Sequence, residues 1–378
     1  MRIGIVLYPT FGGSGIVATE LGKELAKKDH EIHFITYTEP VRLGELRKNI
    51  FYHEVSTSDY PLFKYTPYEQ VLTSKLVDVV KFEKLDLLHV HYAIPHASAA
   101  YMAQQILSDQ NIKIPFITTL HGTDITLVGK DPSFEPVINF SINKSNMVTA
   151  VSESLKKDTN ELFEVKNNIK VIPNFICIKE YKLENNDFYK KRFAPNNEKI
   201  ICHISNFRKV KRIKDVLLSF EIISKEIDVK LILVGDGPER SALEKISRES
   251  KFRNNIYFLG SLKSTKEVLN ISDLFFLPSS TESFGLSALE AMACSVPVIS
   301  TKTGGIPEVV IDGESGYLSK VGDVREMSNN AIEILSNENK LSLFKENALK
   351  QAMNFDVKQI LPRYEKIYEK CIDDYLSK

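Results

Sequence analysis

Two carboxylates eight positions apart, Glu282 and Glu290, bracket the stretch Ser283-Phe284-Gly285-Leu286-Ser287-Ala288-Leu289. Upstream, Leu274-Phe275-Phe276-Leu277 reads as a buried strand, and Pro278 with Ser279-Ser280-Thr281 reads as a turn. From about Phe284-Gly285 onward, apolar residues recur at helical spacing through Leu286, Leu289 and Ala293. The first N–H groups of such a helix have no internal partner and carry partial positive charge, so they suit a phosphate. Eight helical residues span roughly 12 Å. One acid can therefore meet a sugar ring while the other meets a ribose across a diphosphate. Acids at this spacing also describe an amphipathic helix with two solvated side chains; the position directly after a strand favours the ligand reading.

Other candidate groups sit at similar strand exits. Arg208-Lys209-Val210-Lys211-Arg212 follows the strand predicted at 200–204 and holds four cations in five residues. It reads either as a solvated basic loop or as cations closing on a diphosphate, where a leaving pyrophosphate needs fixed positive charge. Gly235-Asp236-Gly237-Pro238, Gly260 and Thr303-Gly304-Gly305-Ile306-Pro307-Glu308 are further exits with accessible backbone. Near the N-terminus, Gly13-Ser14-Gly15-Ile16-Val17-Ala18 satisfies G-x-G-x-x-A, and Glu39 ends the second predicted strand. That is the spacing of a dinucleotide site. The same glycines also fit a structural tight turn or close approach to another anionic ligand. His89 and His91 share one face of a predicted strand, with His96 close by. A metal site is conceivable there, but no cysteine or nearby carboxylate completes it. Tyr92 at that strand's end and His121-Gly122-Thr123-Asp124 at the next occupy the ligand end of a parallel sheet. Lys64 lies in a Tyr-, Phe- and Pro-rich loop over 54–68 that reads as a lid or a packed surface segment.

These groups need a scaffold. A chain of 378 residues exceeds the size at which one core usually keeps growing, so two domains are expected. Hydrophobic residues make up 43%, enough for packed cores, while no apolar run approaches membrane-spanning length. Lys plus Arg balances Asp plus Glu at 49 each, which argues against a nucleic-acid or membrane-surface partner. The four cysteines, at 177, 202, 294 and 371, lack metal-ligand spacing and read as reduced thiols, so a soluble cytoplasmic enzyme is the expectation. Strands at 3–8, 32–37, 87–92, 116–120, 147–151 and 171–174 alternate with helices at 16–28 and 69–82, among others. The Asn- and Lys-rich stretch 179–199 marks a boundary. A second series has strands at 200–204, 230–234, 256–259, 274–277 and 298–300. Both halves predict doubly wound parallel sheets. The periodic helix over 357–375 suits either domain.

Together these residues resemble the pattern of glycosyltransferase family 4, across nearly the whole chain. The resemblance implies an α/β, GT-B fold: two Rossmann-like domains with an inter-domain active-site cleft. Residues 1–172 would form the acceptor-side domain, with 357–378 packing back on it, and 173–356 the nucleotide-sugar domain. It implies retaining sugar transfer from a nucleotide sugar, without cofactor or metal. The segments Gly12-Gly13-Ser14-Gly15, His89-Val90-His91-Tyr92-Ala93-Ile94-Pro95-His96 and Ser205-Asn206-Phe207-Arg208-Lys209-Val210-Lys211-Arg212 resemble the branch that moves GlcNAc from UDP-GlcNAc to the hydroxyl of L-malate, which begins bacillithiol biosynthesis.

By resemblance, Glu290 binds the ribose of UDP, Glu282 a sugar hydroxyl, and the amides of Phe284, Gly285 and Leu286 phosphate or sugar. Gly13 and Gly260 border the nucleotide sugar. Lys211 matches the family's phosphate-binding lysine, while Asn206 stands where an arginine is usual, leaving Arg208 as the substitute cation. His121 lies beneath the anomeric region. Ser14, Lys64, Tyr92, Thr123, Asn206 and Arg208 are the candidates for malate, whose two carboxylates need a cation and several donors. Three alternatives remain open: a family 4 enzyme with another acceptor, a nicotinamide oxidoreductase using the Gly13 loop, and a non-catalytic nucleotide-sugar binder. Oligomeric state, including a homo-oligomer, is left open.

Overall fold

Short runs of Ile, Val, Leu and Phe, buried on both faces, build two parallel sheets covered by helices, as such strands require. A computed structural model describes residues 1–44, 47–57, 64–181 and 187–377. The chain divides into a first unit, Met1–Asn174 with Val357–Lys378, and a second unit, Phe175–Asp356.

The first unit contains β1 (Arg2–Val6), β2 (Glu31–Thr36), β3 (Ile50–Glu54), β4 (Leu87–His91), β5 (Phe116–Leu120), β6 (Met147–Ala150) and β7 (Ile169–Val171). The sheet order is β3-β2-β1-β4-β5-β6-β7. The second unit contains β8 (Lys199–Ile204), β9 (Val229–Val234), β10 (Ile256–Gly260), β11 (Leu274–Leu277), β12 (Val298–Thr301) and β13 (Gly316–Ser319), in the order β10-β9-β8-β11-β12-β13. Strand order reverses between β1 and β4 in one sheet and between β8 and β11 in the other. Diverging connections at such a point open a crevice at the strands' carboxyl ends. The loops after these four strands carry most of the residues singled out above.

Two strands escape the sequence pattern. β3 is a half-exposed edge strand whose Phe51, Tyr52, His53 and Glu54 mix polar with apolar groups, and β13 is four residues starting on a glycine. The first helix runs Gly13–Ala26, three residues earlier than its apolar period suggests, so Gly13 and Ser14 lie in its first turn. The final helix, Val357–Leu376, falls in the first unit. It buries Ile360, Tyr364, Ile367 and Tyr368, and the Tyr368 hydroxyl meets His89 Nδ1 at 2.7 Å.

Candidate active site

In the second unit, the basic loop is held by a buried anchor. Phe207 is fully buried, and its N–H donates to the Asp236 carbonyl at 2.8 Å. Gly235 and Gly237 make this possible: a Cβ on Gly235 would stand 1.8 Å from the Ser205 carbonyl oxygen, and one on Gly237 2.7 Å from that of Phe207. Asn206 and Arg208 flank the anchor and are exposed. Farther along, the Ser280 N–H donates to the Val210 carbonyl at 2.8 Å, tying the basic loop to the loop after β11. Lys211 Nζ then forms an ion pair with Glu282 Oε1, which also accepts from Ser279 Oγ at 2.8 Å.

The loop carrying Glu282 is shaped by glycines on a neighbouring chain segment. A Cβ on Gly304 would lie 1.8 Å from the Glu282 carbonyl oxygen, and the Gly305 N–H donates to that same oxygen at 2.9 Å. Gly285 caps the helix Leu286–Ala293 with φ +95°, a left-handed conformation that favours glycine. Phe284 turns inward and packs edge-on against Phe355 at 5.6 Å, so only its backbone is available to a ligand. Glu290, 5% exposed, accepts from the Tyr181 hydroxyl at 2.7 Å. Gly260, with φ +72°, closes β10 and accepts from the Gly235 N–H at 2.8 Å. The loops after β8, β9, β10 and β11 thus form one connected set. It offers a carboxylate-paired lysine, exposed Arg208, two acidic acceptors and a helix N-terminus, a combination suited to a diphosphate bearing hydroxylated rings.

The first unit assembles a different chemistry. Ser14 Oγ meets the Tyr92 hydroxyl at 2.5 Å, and Thr123 stands beside that hydroxyl. Burial pushes the Tyr92 phenol up to about 12, so it stays a neutral donor. The Tyr92 ring lies 5.3 Å from the His121 ring and 5.4 Å from Tyr8. His121 Nε2 meets His91 Nδ1 at 2.7 Å, and burial lowers the His121 imidazole to about 3. Asp124 folds under this turn, accepting from the N–H groups of Ala93 at 2.8 Å and Gly122 at 3.1 Å; burial raises its carboxyl to about 6. Ser14, Tyr92, Thr123 and His121 therefore converge at the exits of β4 and β5 and the start of the first helix.

Lys64 does not join them in any described contact; its ammonium lies 5.5 Å over the Tyr65 ring, and both residues are exposed. Gly15, rather than reaching a ligand, packs on its own turn, where a Cβ would come 2.5 Å from the Tyr8 carbonyl oxygen. His89 is saturated by Tyr368 and by Thr119 Oγ1, each at 2.7 Å, and His96 Nδ1 donates to the His91 carbonyl at 2.5 Å. Burial keeps His89 near 3 and His96 near 4. These histidines are polar struts. Among the described residues of the first unit, His33, His53 and Glu83 bring possible metal-ligand atoms within 4.8 Å of one another, yet His33 already pairs with His53 at 2.9 Å and with Glu31 at 3.1 Å. The sequence did not single out Tyr181 or Tyr8, and it named Ser279 and Asp124 only as members of their turns. Those turns are the local signal that Tyr181 and Tyr8 lack.

Two parallel-sheet units with polar groups gathered at their switch points are the hallmarks of the GT-B class. Residues 11–180 match the model of Glycosyltransferase Family 4, and residues 185–351 that of Glycosyl transferases group 1. The chain belongs to this glycosyltransferase family. It is 46% identical to the N-acetyl-alpha-D-glucosaminyl L-malate synthase of Bacillus anthracis over 376 residues, covering 99% of this chain and 98% of the relative. An uncharacterized glycosyltransferase of Methanocaldococcus jannaschii is 28% identical over 97% of both chains. Among solved structures, Anabaena HepE in complex with UDP and glucose superposes with a TM-score of 0.80 at 20% identity, covering 98% of this chain and 99% of that one. At that identity the likeness concerns the fold. No helix among the described residues is long and apolar enough to cross a membrane.

Proposed function

We propose that this glycosyltransferase moves GlcNAc from UDP-GlcNAc to the hydroxyl of L-malate, with retention of anomeric configuration and without a metal or other cofactor. The observation that carries the reading is the 46% identity, over nearly the full length, to the malate synthase of Bacillus anthracis. The second unit is assigned the donor: Glu290 the ribose, the helix start at Gly285 and Leu286 with Gly260 the diphosphate and base, Lys211 and Arg208 the charge developing on the leaving phosphate. Glu282, now paired with Lys211, would exchange that contact for a sugar hydroxyl while the lysine turns to phosphate. Gly13, in the first turn of its helix, presents an unpaired N–H to the diphosphate.

The first unit is assigned the acceptor and the sugar. Ser14, Tyr92 and Thr123 form a neighbouring hydroxyl set suited to a hydroxy-dicarboxylate, and His121 faces the sugar. Asn206 and Arg208 supply an amide and a cation for malate's carboxylates; Lys64 is the weaker member, since its described contact is with Tyr65. The malate hydroxyl attacks the anomeric carbon from the face that UDP is leaving; the C–O bond to phosphate breaks, and the departing phosphate oxygen takes the hydroxyl proton. Because the proton goes to the leaving group, no separate general base is needed. The four cysteines form no disulfide, which suits the reducing cytoplasm we assign to the reaction.

The test is incubation of the purified chain with UDP-GlcNAc, with and without L-malate, following UDP and product by chromatography. Malate-dependent UDP release with a GlcNAc-malate product is expected. Release indifferent to malate, or none, overturns the acceptor assignment.

A further inference from the structure

His91 sits directly behind His121, fully buried on β4, with its Nδ1 2.7 Å from His121 Nε2. Its own Nε2 is sealed from solvent and has no hydrogen-bond partner. The ring beside it, His89, lies tilted at 4.4 Å but has both nitrogens engaged elsewhere, so it cannot supply that partner. Both rings of the His91–His121 pair are neutral at pH 7, because burial depresses each. One proton therefore lies between the two facing nitrogens, and the question is whose it is. If His121 donated, His91 would carry its proton on Nε2 and bury an unpaired N–H, a rare arrangement in folded proteins. If His91 donates, the unsatisfied Nε2 is only a lone pair. His96 already accepts that outcome: its Nδ1 faces a carbonyl and must donate, which leaves its own buried Nε2 as a bare lone pair.

We propose that His91 is a positioning residue, whose Nδ1–H donates to His121 Nε2 and so holds His121 in the tautomer that presents an Nδ1–H donor to the bound sugar. His121 retains 9% exposure, and its Nδ1 is neither sealed nor bonded to any described residue. A fixed outward N–H can meet a sugar hydroxyl without reorganisation when charge develops at the anomeric carbon. The proposal rests on the assignment of His121 to the sugar.

The test uses the full chain labelled with 15N-histidine. In the wild type the His121 ring should show the nitrogen shifts of the Nδ1–H form. His91→Leu, which removes the donor, should move His121 toward the Nε2–H form and lower kcat roughly 10- to 100-fold. Its UDP affinity should stay within about twofold, because the groups assigned to UDP lie in the second unit except for the Gly13 N–H, which His91 does not touch. His91→Asn keeps an N–H donor in reach and should recover most of the turnover and the original tautomer. A wild-type His121 in the Nε2–H form overturns the proposal, as do Leu and Asn variants with equal turnover. Should the Leu variant fail to fold, the wild-type spectrum decides alone. Absence of malate-dependent turnover in the wild type would sink the acceptor reading but leave the tautomer measurement standing.

Discussion

The two units share an architecture and differ in what they place at its mouth. In the second, the exits of β8 and β11 display charge and bare backbone: Arg208, Lys211 paired with Glu282, and a glycine-capped helix. In the first, the exits of β4 and β5 display neutral, buried polar rings: Tyr92, His91, His121, with Tyr8 and His96 against them. The same kind of switch-point crevice, one in each unit, is thus lined for two chemistries. A diphosphate needs permanent cations and oriented N–H groups, whereas hydroxyls are better met by uncharged donors held in one state. Burial supplies that state, since removing water keeps an imidazole neutral and a phenol protonated.

This contrast can be broken at several points. The largest effect should come from Gly304→Val, because the new side chain would push on the Glu282 carbonyl from a left-handed backbone position. We expect a loss of about 4 kcal/mol in denaturant unfolding together with loss of turnover, while the fold of the first unit persists. A variant with unchanged stability would show that the glycine contact is not required. Next, Lys211→Ala should lower kcat about 10²- to 10³-fold in steady-state assays, if the lysine acts on the leaving phosphate. A rise in KM with kcat intact would assign it to ground-state binding instead.

Acid should separate the units. His89, His96 and His121 in the first unit are held below their ordinary 6.5, at about 3 to 4, and His203 in the second at about 4. A histidine held low in the fold contributes stability above pH 6.5 that is lost as pH falls toward its folded value. Each such ring costs about 1.4 kcal/mol at one unit below 6.5. His91, also held low by burial, adds to them, while Asp124, raised to about 6, works oppositely: its contribution is present at low pH and lost as pH rises through 6, so it offsets less than one of these rings. Hydrogen exchange at pH 5.5 should therefore show β4 and β5 losing protection before β8 and β11. Simultaneous loss, or the reverse order, would refute the assigned asymmetry. The smallest effect is expected from Tyr181→Phe. Removing one hydrogen bond from the buried Glu290 should raise the UDP-GlcNAc KM by roughly 10-fold. An unchanged KM would mean that Tyr181 does not orient that carboxylate.

Much of this was legible in the residue order. The strand before Glu282, the turn after it and the helix through Leu289 follow from local periodicity, and the glycine at 285 appears where the left-handed cap needs it. Harder to read were β3 and β13, where half-exposure and brevity erase the alternation that marks a strand. Tyr181 could not be found either, because its partner Glu290 lies more than a hundred residues away and nothing near Tyr181 advertises a ligand.

The amino-acid sequence by itself determined the two parallel-sheet units, the strand-loop-helix frames and the residue types gathered at their ends, because these arise from short-range hydrophobic period and turn chemistry. Only the tertiary structure decided which polar groups work as pairs: Ser14 with Tyr92, His91 with His121, Lys211 with Glu282, Tyr181 with Glu290. It also decided that the final helix belongs with the first unit, through Tyr368 and His89. The reason is physical: protonation and hydrogen bonding depend on burial and on partners brought from distant parts of the chain, and neither is encoded in any local stretch.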